Sequence, residues 1–177
     1  MPWGGARLAC KRGASRALGP LGDLQTHAKE AGRVPSKSAG SKMIRALVLI
    51  DTSGWICFFS RRGHEEIKET ISILLDEDRV AVAGPILIEL IQGARNQEEK
   101  EDIKNYVRGL HWLTVTDDHW HKSAEFAFEL RRKGITTSAI DTLIATLVID
   151  FDCALLHKDS DFDQIAHHSS LVCYPFL

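Results

Sequence analysis

Ile44-Arg45-Ala46-Leu47-Val48-Leu49-Ile50-Asp51-Thr52-Ser53 is an apolar run rich in branched residues that stops at a carboxylate and two hydroxyls. A short continuous run of this kind reads as a central strand of a parallel sheet, buried on both faces. In open α/β sheets, ligands bind in the crevice outside the carboxyl ends of the strands. Asp51 therefore stands where a polar site is expected, and later stretches can be searched for groups that reach the same place.

Strand-like and helix-like segments alternate downstream. Residues 52–59 read as a short, largely buried helix. His64 to Asp78 carries Ile67, Ile71, Leu74 and Leu75 at amphipathic-helix spacing. Arg79 to Ala83 reads as the second strand, and Gly84-Pro85 opens a helix with proline at its first position. Glu89 lies inside that helix's apolar run, Ile86 to Ile91. Asn96 to Leu110 is a charged helix with Ile103, Val107 and Leu110 as its inner stripe, and Trp112 to Val115 a third strand. Asp118 to Lys133 is a helix that ends on Arg131-Arg132-Lys133, with Gly134 as its stop. Thr137-Ser138 start another, buried through Ile140, Leu143, Ile144, Leu147 and Val148, with Asp141 pointing partly towards that side. Cys153 to His157 is a fourth strand running into an acid-dense turn, Lys158 to Asp163, and Leu171 to Tyr174 a fifth. Right-handed crossovers then give a three-layer α/β fold, with a mainly parallel sheet of four to five strands flanked by helices.

The 177 residues suit one domain plus a tail, and no uninterrupted apolar segment is long enough to span a bilayer. Cys10, Cys57, Cys153 and Cys173 show no Cys-x-x-Cys spacing, so they read as thiols of a reducing cytoplasm. Charge is unevenly spread: residues 1–42 carry 8 Lys/Arg against 2 Asp/Glu, and residues 43–177 carry 14 against 22. A balance of −8 argues against broad electrostatic binding to nucleic acid, so any such chemistry must come from a local site supplied with cations. The Gly-, Ser-, Arg- and Ala-rich residues 1–42 read as a disordered basic extension. Met43 as the true start accounts for this best, because a strand follows directly; a basic nucleic-acid arm and an organellar transit peptide are the alternatives.

Each acid has a bland reading. Asp51 suits the N-cap of the next helix, Ser138-x-x-Asp141 matches a capping box, and Asp159 and Asp161 sit where Asx-turns and caps belong. Glu89 is harder to dismiss, since an ionised acid in an apolar segment is costly unless paired, and the nearest cation along the chain is Arg95. Carboxylates gathered in one crevice raise each other's pKa, and a divalent cation relieves them. Oxygen-only ligands favour Mg²⁺ or Mn²⁺ over zinc, and such ions commonly serve phosphate chemistry. No His-Glu-x-x-His occurs; His119, His121, His167 and His168 read as surface residues, and the Trp and Phe positions as core.

Four pieces in this order, Leu49-Ile50-Asp51-Thr52-Ser53, Glu89, Gly134 followed by Asp141-Thr142-Leu143-Ile144-Ala145, and Asp159-Ser160-Asp161-Phe162, carry a resemblance. Residues 43–177 resemble PIN-domain ribonucleases of the VapC toxin type. The resemblance implies an acidic site on Asp51, Glu89, Asp141 and Asp159, with Asp161 auxiliary and the hydroxyl of Ser53 or Thr52 helping to position water. It implies a Mg²⁺-dependent endoribonuclease toxin that hydrolyses RNA, often transfer RNA, by metal-activated water. It also implies a homodimer and neutralisation by a cognate VapB-like antitoxin, for which the acidic surface suits a basic segment. His157 departs from the family pattern, which has threonine or serine two residues before the Asp159 position.

On that reading Asp51 and Asp141 hold the principal ion, with Glu89, Asp159 and Asp161 tuning it, holding a second ion or orienting water. Arg61, Arg62, Arg131, Arg132 and Lys133 are candidates for steering the RNA backbone, against a plainer reading as solvated helix-end charges. A phospho-signalling receiver would need an acid pair at Asp51 and a better-placed lysine than Lys158, and a haloacid-dehalogenase-type phosphatase would need an acid where Ser53 stands. A non-catalytic RNA-binding protein on the same fold is the remaining alternative, and the intact acids argue against it.

Overall fold

A computed structural model of the chain describes residues 46–60 and 63–176. The expectations for residues 1–42, Cys10, Arg61 and Arg62 lie outside the described residues. Strand β1 (Val48–Ile50) has every side chain fully buried and lies between β2 (Val80–Ala83) and β4 (Ala154–Leu156). β3 (His111–Leu113) completes a sheet of order β3-β2-β1-β4, parallel throughout. The register pairs Val48 with both Val80 and Ala154, so the carboxyl ends of β1, β2 and β4 lie level.

Helices α1 (Thr52–Phe59) and α2 (Glu65–Asp76) cross from β1 to β2, and α3 (Gly84–Gly93) and α4 (Gln97–Val107) from β2 to β3. Helices α5 (Asp117–Arg132) and α6 (Ala139–Asp150) cross to β4, after which α7 (Ser160–His167) follows. The predicted periodicities hold where burial is deepest: Ile67, Ile71 and Leu74 of α2, and Leu143, Ile144, Leu147 and Val148 of α6, are all buried. Each such side chain stabilises the fold by roughly 1.5–3 kcal/mol relative to exposure. Trp55 is fully buried, stacked on Phe59 at 5.6 Å and edge-on to Tyr106 at 5.7 Å, which fastens α1 to α4.

Four expectations need correction. The fifth strand reduces to one bridge at Cys173: Leu155 N–H donates to Val172 O (2.9 Å) and Tyr174 N–H to Leu155 O (2.7 Å). Pro175 has no N–H with which to extend the ladder. The acid-dense turn is largely helix, because Asp159 caps α7 and Phe162 and Ile165 bury one face. His119 is buried, not superficial: its Nδ1 accepts from Thr116 N–H (2.9 Å), leaving Nε2 to donate to Asp150 (3.0 Å) across the α5–α6 pair. Finally, Trp112, Trp120 and Phe128 are about half exposed, Trp112 on the edge strand and the other two on the outer side of α5. Among the described residues, no helix is long and apolar enough to cross a membrane.

Candidate active site

The chain leaves β1 through Asp51, whose backbone N–H still donates to Leu156 O of β4 (2.9 Å) before the chain turns into α1. That turn buries the Asp51 side chain and makes it the N-cap of α1, where it accepts from Ser53 N–H (2.8 Å) and Ser53 Oγ–H (2.5 Å). Ser53 Oγ in turn accepts from Lys158 N–H (2.9 Å), so the end of β4 is tied to the start of α1. Thr52, also buried, points the other way and donates to Glu89 Oε2 of α3 (2.5 Å). Asp141 sits in the first turn of α6, its N–H bound to the Ser138 cap (3.0 Å). Asp159 caps α7 by accepting from Asp161 N–H (3.0 Å).

The cap readings hold for Asp51 and Asp159 and are incomplete, while at α6 the cap is Ser138, which accepts from Asp141 N–H. Helices α1, α6 and α7 each begin at this end of the sheet with an acid in or beside the cap, and Glu89 completes the group from α3. Helix N-termini stabilise nearby carboxylates, which helps a cluster of like charges to exist in a folded chain. The cluster still carries a penalty. Burial pushes the Asp51 carboxyl up against the pull of its Ser53 and Thr52 hydrogen bonds, and the Asp141 charge adds to the push. Glu89 is raised by burial, against the Thr52 bond, and further by Asp51 and Asp141. Asp161 is raised by burial, then by Asp159 and Asp141. Asp141 is the acid whose charge acts on all three of Asp51, Glu89 and Asp161.

Among the described residues, no lysine or arginine side chain pairs with any of the five acids. Arg95, the nearest cation to Glu89 along the chain, is engaged with buried Glu99 (3.1 Å). Also among the described residues, no three His, Cys, Asp or Glu side chains already form a ligand set. Mg²⁺ commonly binds through one or two carboxylates and keeps several waters, so an all-oxygen, unpaired, mutually repelling group fits it better than it fits zinc.

Residues 48–168 match the family model described as PIN domain. VapC ribonuclease Mb1587 of Mycobacterium bovis is 34% identical over 133 residues, 73% of this chain and 99% of the relative. Ribonuclease VapC11 of Mycobacterium tuberculosis matches to the same extent. The chain belongs to the PIN-domain family, in its VapC group. Among solved structures, a chain of VapBC2 from Rickettsia felis bound to a DNA fragment from their promoter superposes with a TM-score of 0.59. It is 18% identical and covers 74% of this chain and 99% of its own. VapBC-1 of nontypeable Haemophilus influenzae gives 0.60 at 21% identity, over 72% and 96%. At those identities the likeness is one of fold.

In this VapC-group chain the departure at His157 has a visible consequence. The ring is buried against Phe162, its Nδ1 accepts from Asp159 N–H (3.3 Å), and its Nε2 lies 3.2 Å from Cys173 Sγ. The imidazole thus supports the Asp159 backbone from below and ties it to the tail. Arg131, Arg132 and Lys133 are exposed at the end of α5, which leads through Gly134 to the start of α6 and Asp141. Lys133 donates to His168 O (3.0 Å), and Arg132 lies over the Phe128 ring. Sequence reasoning missed Lys158 and His64, whose side chains meet at 2.9 Å, joining the segment after β4 to the start of α2. No periodicity pairs two residues so far apart in the chain.

Proposed function

We propose that this chain is a divalent-cation-dependent endoribonuclease toxin of a toxin–antitoxin pair, acting in the cytoplasm. One observation carries the reading: at the carboxyl end of the sheet, where Ser53 holds Asp51 and Thr52 holds Glu89, the Asp141 charge raises Asp51, Glu89 and Asp161, and among the described residues no lysine or arginine side chain pairs with any of them. Asp51 and Asp141 are the principal ligands for Mg²⁺ or Mn²⁺, with Glu89, Asp159 and Asp161 around them. An ion held there supplies the positive charge that phosphodiester hydrolysis needs.

The protein's own part is to aim those oxygens. Ser53 holds Asp51 through two hydrogen bonds, Thr52 holds Glu89, and both hydroxyls thereby act on carboxylates. Arg131, Arg132 and Lys133 lie on the approach to Asp141 and suit a strand of RNA, transfer RNA being one candidate. The relatives' names, VapC ribonuclease, support the activity, and the VapBC complexes among the fold neighbours support a VapB-like antitoxin. A basic antitoxin segment suits the −8 balance of residues 43–177. The half-exposed Trp112 and Phe128 offer apolar surface for a homodimer.

The test compares the parent with Asp51→Asn and Asp141→Asn on a mixed RNA substrate, with Mg²⁺ and with chelator. Cleavage by the parent alone, lost in both variants and on chelation while thermal unfolding stays cooperative, is the expected result. Undiminished cleavage in both variants would refute the assignment, growth arrest that persists with Asp51→Asn would refute cleavage as the source of toxicity, and no arrest on induction of the parent would refute the toxin reading.

A further inference from the structure

Lys158 follows β4 at the same end of the sheet as the acids, its backbone N–H bound to Ser53 Oγ (2.9 Å). It directly precedes Asp159, and acids also follow at 161 and 163. Yet among the described residues no carboxylate lies within ion-pair distance of its ammonium. Lys68 and Lys122, by contrast, pair with Glu65 (3.0 Å) and Asp118 (2.8 Å). Lys158 Nζ instead crosses to the loop between α1 and α2 and donates to His64 Nδ1 (2.9 Å). His64 is held there in the left-handed backbone region, φ 62°, directly after Gly63 at φ 73°. That conformation costs a non-glycine residue on the order of 1 kcal/mol and marks a loop shaped by its surroundings.

An acidic pocket that cuts RNA has an electrostatic problem, because the same charges that would hold a cation repel the substrate. A cation fixed at the rim, spared neutralisation by the pocket, answers it. The geometry points to Lys158, steadied by His64, as the group that grips an RNA backbone phosphate next to the bond being cut; this rests on the ribonuclease reading above. One Lys158 N–H is committed to His64, which leaves two for phosphate oxygens. A lysine ammonium binds phosphate as a point charge and reads no base, so the contact adds affinity without sequence preference. The Lys158 backbone N–H bond to Ser53 holds the root of that side chain beside the Ser53–Asp51 pair, and it survives any change of the Lys158 side chain.

The experiment measures binding of a fluorescein-labelled single-stranded RNA by anisotropy over a salt series, on the Asp51→Asn background to prevent cutting. Each phosphate contact contributes about 0.7 to the log–log salt slope of a single strand. Lys158→Ala should lower the slope by about that amount and weaken binding roughly 5- to 10-fold at low salt. Lys158→Arg should restore both, and His64→Ala should move both the same way by less. In the cleavage-competent chain, Lys158→Ala should raise KM and leave kcat within about twofold. A side chain that merely tethered the loop would leave the salt slope alone. If the parent binds and cleaves RNA and Lys158→Ala matches it in slope and KM, the phosphate grip is overturned by itself. If the parent neither binds nor cleaves RNA, the ribonuclease reading fails and the grip fails with it.

Discussion

The Thr52 hydroxyl donates to the Glu89 carboxylate at 2.5 Å, joining the first turn of α1 to the middle of α3. The residue next to the central carboxylate is thus spent on aiming a different one. Thr52→Val removes the donor while keeping the shape, at a stability cost of roughly 1–3 kcal/mol. Removing such a supporting bond commonly weakens metal affinity by roughly 10-fold or more. The Mg²⁺ concentration for half-maximal cleavage should rise accordingly, and Thr52→Ser should restore it. A Thr52→Val protein with the parent's metal requirement would disprove the aiming role.

Asp51→Asn should stabilise the metal-free protein. Asn remains a good N-cap and still accepts from Ser53 N–H, while a buried charge among like charges is removed. A gain on the order of 1 kcal/mol in urea unfolding near pH 7 is expected. Mg²⁺ should raise the midpoint of the parent and leave that of the variant nearly unmoved.

The pH dependence has a definite sign. Asp51, Glu89 and Asp161 are raised in the folded state above ordinary values of 3.8, 4.5 and 3.8. The folded chain therefore holds protons that the unfolded chain has released, so stability falls as pH rises from those values through the raised ones, then levels. Asp150, held low chiefly by its Lys122 hydrogen bond, acts oppositely, its contribution being lost as pH falls below 3.8. The metal-free parent should unfold at higher urea at about pH 5 than at about pH 8, and Asp51→Asn should flatten that difference. An equal or steeper dependence in the variant would count against the cluster.

Gly54→Ala probes the closeness of α1 to the sheet. A Cβ there would lie 3.0 Å from both Ile50 Cγ2 and Leu156 Cδ2, and 3.4 Å from Leu156 O. Ile50 and Leu156 are fully buried and have little room to yield. Destabilisation of roughly 1–3 kcal/mol is expected, measurable by thermal unfolding; a neutral variant would mean that α1 rides looser than its contacts indicate.

His119→Ala separates stability from chemistry. It removes the buried link from Thr116 to Asp150 and should cost roughly 1–3 kcal/mol. Asp150 and Asp141 lie nine residues apart on α6, roughly 14 Å. Cleavage constants and metal requirement should therefore stay at parent values, and a changed metal requirement would sink this separation.

Much of the site was legible because its signals are local. The run ending at Asp51, the Ser138-x-x-Asp141 box and the Asp159 cap each follow from a few neighbouring residues, and each cap is present. The α7 helix was missed, because a density of acids reads as turn unless the helix dipole that accommodates them and the face buried by Phe162 and Ile165 are considered. His119 was misread because its partner Asp150 belongs to another helix, and nothing local distinguishes a buried histidine from an exposed one.

The sequence by itself determined the alternation of strands and helices, the burial of the first strand and the places where carboxylates must cap helices, since all of these depend on spacing within a turn or two. Tertiary structure alone decided which of those carboxylates come under the Asp141 charge, that Thr52 serves Glu89 while Ser53 serves Asp51, and that Lys158 turns from its neighbouring acids towards His64. The physical reason is that charge and hydrogen bonding act through space over a few ångströms, and only the order in which the parallel strands are laid side by side sets those distances.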